Sequence, residues 1–147
     1  MNSPSANQND PQTRIMTMRI IWMAQLVSVG LFYGITLFAG RPDNVEPNQT
    51  LSLVLICVAV LAIAVSFLIK SRLLSKAVAQ QDLGMVQQAY VVAWAATEVA
   101  ALLGLLDFFT TADPYYYALF IIGALGMLLH FPRREPVVNA AFKGGLM

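Results

Sequence analysis

The chain has 147 residues, 58% hydrophobic and 12% charged, with a mean hydropathy of +0.65. Soluble domains average about a quarter charged residues, so this composition excludes a disordered chain and argues against a water-soluble globule. Nine Lys/Arg against eight Asp/Glu leave a formal net charge of +1 and no electrostatic basis for binding nucleic acid; a single cysteine, Cys57, excludes an intrachain disulfide or a multi-thiolate metal site.

Residues 1–13 are polar, carry Pro4 and Pro11, and are expected to form a disordered cytoplasmic tail. Residues 14–134 read as an all-α membrane domain of four transmembrane helices, arranged as two antiparallel hairpins. The apolar runs are 20–40, 51–69, 90–109 and 115–131, or 21, 19, 20 and 17 residues. About 20 residues of helix cross a ~30 Å hydrocarbon core. The runs are too long and too uniformly apolar for strands. The first is expected to be retained as a span. It exceeds the 7–15 residues of a signal-peptide core, and Phe38-Ala39-Gly40-Arg41 is not an A-x-A cleavage site.

Arg14, Arg19, Lys70, Arg72, Lys76, Arg133, Arg134 and Lys143 fall on one side of a four-span chain, and only Arg41 falls on the other. The positive-inside rule then places both termini in the cytoplasm, with 135–147 a second cytoplasmic tail. Pro42 and Pro47 separate the first two helices. Lys70 to Ala89 keeps helical spacing at Leu73, Leu74, Ala77 and Val78, so helix 2 is expected to continue past the membrane and turn near Asp82 to Gly84. Asp113-Pro114 reads as an N-cap and N1 proline for helix 4. The protein is expected to be integral to the plasma (inner) membrane.

Glu98 stands out. It lies eight residues after Tyr90, about 12 Å into a ~30 Å core, and no span holds a Lys or Arg to neutralise it. An acid there costs about 2.5–3.5 kcal/mol on insertion scales and is a functional-site hypothesis by default. Hydrocarbon favours the neutral form of a carboxyl, and one that gains and loses a proton there is a natural proton carrier. Ala96, Ala100 and Gly104 form a small-residue stripe on the opposite face of the helix. Trp94, Ala101 and Leu105 share the face of Glu98, which points to lipid, to a second subunit or to another helix of the bundle.

Gln25 and Ser28 lie on one face of helix 1, where they can hydrogen-bond Glu98, one another or a neighbouring helix. Gly30-x-x-x-Gly34 reads as a helix-contact motif. Asp107 is expected to reach water at the outer boundary and His130 to be an interfacial residue. Tyr115, Tyr116 and Tyr117 read as an outer aromatic belt. No phosphate loop, nucleophile elbow or zinc motif is present, so no catalytic residue, no metal site and no enzyme activity are expected.

Lys76 to Phe109, KAVAQQDLGMVQQAYVVAWAATEVAALLGLLDFF, resembles the polar loop and carboxylate helix of rotary ATPase c subunits, the proteolipids. Thr97-Glu98 is followed six residues after the acid by Gly104, a spacing common in that family. The resemblance implies that Glu98 binds a proton or Na+, with Thr97 and Ala101 as its neighbours, and that the chain assembles as a homo-oligomer or as a subunit of a membrane complex. The chain differs from the family in having no glycine in 51–69 and its acid in the third helix. A shift of 70 residues superposes Ser28 on Glu98 and Gly34 on Gly104, as a duplication would. Two other readings fit less of the sequence. One is a small multidrug-type transporter, whose membrane glutamate lies in the first helix. The other is a non-transporting scaffold subunit whose small-residue stripes serve a larger complex.

Overall fold

The computed structural model describes residues 11–40, 45–111 and 113–141. Residues 1–10 of the polar tail, the outer connection at Arg41, Pro42, Asp43 and Asn44, and the segment with Lys143 lie outside the described residues. The elements are α1 (Pro11–Phe38), α2 (Gln49–Gln80), α3 (Leu83–Thr110), a 3-10 turn (Pro114–Tyr116), α4 (Tyr117–Leu129) and α5 (Arg134–Ala141). The described chain is all helical. α1, α2 and α3 are long and apolar enough to cross a membrane, and Pro114–Leu129 with α5, bent by 41°, brings the count to four if that pair is one span.

Local chemistry sets the boundaries. Pro11 opens α1, where its missing N–H is no loss; Pro11 to Thr13 are therefore helix and not tail. Asn48 Oδ1 accepts from Leu51 N at 3.0 Å and starts α2. α2 and α3 are joined by two residues. Gln81 turns the chain with φ 54°, and Asp82 Oδ1 accepts from Gly84 N at 2.7 Å and Met85 N at 3.1 Å. The turn lies at Gln81–Asp82, and Gly84 is already in the first turn of α3. Asp113 Oδ1 accepts from Tyr115 N at 2.8 Å, so Asp113-Pro114 does cap a helix, but a 3-10 turn precedes α4. Tyr115 and Tyr117 are exposed at this end, and Tyr116 is half-buried.

Burial is inverted relative to a soluble bundle. The buried residues of α2 are Ser52, Leu55, Ala59, Ser66 and Ala77, whereas Leu53, Val60, Leu61, Val65 and Leu68 point outward. Small residues inside and large aliphatics outside are what packing in lipid requires, because lipid solvates Leu and Val while close helix approach needs small side chains. α3 is the most buried of the long helices and packs against α2, α1 and α4, and α1 and α2 form no comparable interface with each other. α3 thus lies between α1 on one flank and α2 on the other, with α4 against all three.

α3 and α4 approach closely. A Cβ on Gly123 would lie 3.3 Å from Thr97 O and 3.4 Å from Ala101 N, so the two backbones touch there. Gly126 abuts Ile63 and Thr97, and Gly104 abuts Phe120 and Leu119. Ala100 and Gly104 are buried as the stripe on α3 requires, and Ala96 is only half-buried. Gly30 and Gly34 are a correction: among the described residues, no other part of the chain lies within 4 Å of a Cβ at either. The face of α1 that packs inward carries Met18, Trp22 and Val29 instead. α5 is a second correction. The segment read as a tail folds back, with Val137 and Ala140 buried against Ile15, Met18, Ala77 and Tyr90.

Candidate functional site

Glu98 is half-buried on α3. Its flank toward α1 carries buried Trp94 and Ala101, and its other flank carries the exposed ridge of Val99, Leu102 and Leu106. The three directions left open by the sequence are thereby reduced. The carboxyl meets another helix of the same bundle, at the edge of an apolar outer face.

Ser28 on α1 supplies the contact. Its Oγ donates to Glu98 Oε1 at 2.5 Å and lies 2.8 Å from Gln25 O. A hydroxyl has one proton and cannot donate to both. With Glu98 ionised, the proton points at the carboxylate. With Glu98 protonated, the carboxyl donates to Ser28 and Ser28 donates to the Gln25 carbonyl. Both protonation states are accommodated without moving a heavy atom. Gln25 Oε1, one turn away, is buried with no hydrogen-bond partner among the described residues. Ser28 therefore meets Glu98 as the helical phase allows, and Gln25 provides a second acceptor oxygen on the same face of α1.

Thr97 does not belong to this group. Its hydroxyl donates to Trp94 O at 2.7 Å and lies 3.8 Å from Met127 Sδ, on the α4 side of α3. One residue is about 100° of helix, which turns Thr97 away from the face of Glu98. Ala101 is near it, packed with Val29 and Phe120, and contributes shape without a polar side chain.

Two further polar clusters are present that position in the sequence alone conceals. Asp107 is completely buried, not in water. Ser52 Oγ and Thr111 Oγ1 each donate to its Oδ1 at 2.7 Å, and Oδ2 has no hydrogen-bond partner among the described residues. This cluster joins α2 to the outer end of α3. His130 is also completely buried. Lys70 Nζ approaches its Nδ1 at 3.4 Å, and Ser66 Oγ lies 2.8 Å from Nε2. An ammonium only donates, so Nδ1 accepts and Nε2 carries the proton toward Ser66, which donates to Ile63 O at 2.6 Å. One neutral tautomer satisfies the whole chain of bonds. The signal for both clusters was Ser52, Ala59 and Ser66, small residues seven apart on one face of α2.

The inner end of α4 is closed by two indoles. Trp22 Nε1 donates to Met127 O at 2.8 Å, and Trp94 Nε1 donates to His130 O at 3.0 Å. Met127 O also accepts from His130 N at 3.2 Å, whereas His130 O lies beyond the last helical turn, where a carbonyl depends on such a donor. Among the described residues, no group of three or more His, Cys, Asp or Glu is placed to hold a metal ion. No family model matches the chain, and no curated protein or solved structure matches it.

Proposed function

We propose that this is a small multi-pass membrane protein in which Glu98, supported by Ser28 and Gln25, binds and releases a proton within the bilayer. The role is similar to that of the proteolipid carboxylate. The observation that carries the reading is the Ser28–Glu98 bond. An O···O separation of 2.5 Å is that of a hydrogen bond, in which the Ser28 hydroxyl can donate to the carboxylate or accept from the neutral carboxyl. The carboxyl is held on a helix flank next to an apolar ridge, where proton exchange is coupled to whatever covers that ridge. A homo-oligomer or a partner subunit in the plasma membrane fits that arrangement.

The test is labelling by a hydrophobic carbodiimide, which reacts with protonated carboxyls. In membranes containing the full chain, modification is expected at Glu98, located by mass spectrometry. It should decrease as pH rises and vanish in Glu98→Gln. Protection by Na+ at fixed pH would assign the site to Na+ instead. If Glu98 resists modification at every pH, the scaffold reading replaces this one.

We also propose that both termini are cytoplasmic, from the eight-to-one distribution of Lys and Arg. In a Cys57→Ser background, an impermeant maleimide added outside intact cells is expected to label Asn44→Cys and to miss Gln80→Cys. The reverse pattern would invert the topology.

A further inference from the structure

One face of α1 carries Gln12, Met16, Arg19, Met23, Leu26, Gly30 and Tyr33, at alternating spacings of four and three. Two cavities open along this face. The inner one, about 560 Å³, lies between α1 and the start of α5 and has Arg19 and Arg134 in its walls beside Met16. The outer one, about 490 Å³, lies between α1 and α4 and is bounded by Leu26, Gly30, Tyr33, Phe120 and Ala124. Between them Met23 is exposed, and the Arg19 guanidinium rests 5.6 Å from the centre of the Phe131 ring. The seam is cationic at one end and apolar at the other.

We infer that this seam holds an anionic phospholipid, its headgroup between Arg19 and Arg134 and an acyl chain in the cleft beside Gly30. Charge selects the headgroup. Arg19 and Arg134 line the inner cavity together, with the exposed Glu135 as the one acid in the first turn of α5. Basic pockets between helices at this depth suit anionic headgroups. Depth selects the chain. Arg19 and Gly30 are eleven residues apart, about 16 Å of helix, and one leaflet is half of a ~30 Å core. Gly30 lines this cleft, and among the described residues the space where its Cβ would stand is open. The inference is independent of Glu98 and requires only that these helices lie in a bilayer.

The experiment is native mass spectrometry of the full chain taken from mixed micelles with equal phosphatidylglycerol and phosphatidylcholine. One phosphatidylglycerol per chain is expected to be retained, preferred about thirtyfold at about 1 kcal/mol for each arginine. Arg19→Gln with Arg134→Gln should abolish that preference. Gly30→Leu should reduce retention of both lipids, because it fills the cleft. Should the double variant fail to fold, the wild-type preference must still fall with added NaCl. The inference is overturned if the preference survives the double substitution or is insensitive to salt. It is equally overturned if inorganic phosphate displaces the lipid as well as phosphatidylglycerol does, or if Gly30→Leu converts a lipid-free dimer to monomer, which would give the cleft to a second copy of the chain.

Discussion

Gly123→Leu is expected to disrupt the bundle, whereas Gly34→Leu leaves it intact. At Gly123 the nearest atoms are the backbone of α3, Thr97 O at 3.3 Å and Ala101 N at 3.4 Å. Backbone cannot rotate aside, so a leucine must push α4 off α3 along with the glycine and alanine contacts that depend on it. Overpacking commonly costs about 1–3 kcal/mol, and this position belongs at or above the upper end. Gly104→Leu should be intermediate, since part of its surroundings is the Phe120 ring, which can turn. Gly34 has only open space beside it. Circular dichroism during thermal unfolding in detergent measures the order. Equal stability of Gly123→Leu and Gly34→Leu would mean that α3 and α4 do not meet as described.

Trp94→Ala is expected to destabilise by about 3–5 kcal/mol, as for other buried large aromatics. The side chain is fully buried between α3 and the end of α4, packs near Tyr90 and Met127, and donates to His130 O. Trp94→Phe separates the two contributions. It retains most of the apolar contact and leaves the His130 carbonyl without its donor, at a cost of about 1–3 kcal/mol. The same unfolding measurement distinguishes them. A Phe variant as stable as wild type would show that water or a shifted neighbour takes the place of the indole.

The helices and the Asp113 cap were readable from sequence because their causes are local. Asp113 caps through its own neighbour and the aliphatic runs declare themselves in any window, whereas Asp82 was read only as part of a turn and Asn48 was not read as a cap. The Ser28–Glu98 contact was accessible for a related reason, since both residues lie at similar depth on helices that share a direction. Asp107 and His130 were misread because what surrounds them comes from α2. Near the end of a hydrophobic run a polar residue normally finds water. Here α2 extends alongside α3 for its whole length, and Ser52 and Ser66 meet these two residues inside the protein. Gly30 and Gly34 misled for the opposite reason. A glycine pair marks a surface on which helices can approach, but the inward face of α1 is chosen by Met18, Trp22 and Val29. The decisive glycine, Gly123, has its partner only three residues on, at Gly126, and the spacing alone did not distinguish it. α5 was hidden by its low apolar content, with Val137 and Ala140 sufficient to dock a single short helix.

The central claim, a proposal, is that Glu98 binds and releases a proton within the membrane with Ser28 as its hydrogen-bond partner. Infrared difference spectroscopy of the full chain in lipid, recorded as pH is raised, tests it most directly, because the C=O band of a neutral carboxyl is distinct from the carboxylate bands. The difference between wild type and Glu98→Gln should contain a neutral-carboxyl band at low pH that converts to carboxylate as pH rises, the other seven Asp and Glu carboxyls cancelling. Ser28→Ala should shift the frequency of that band, because the carboxyl loses the hydroxyl it is bonded to. A difference that lacks a neutral-carboxyl band at every pH, or a band that Ser28→Ala does not shift, would contradict the account.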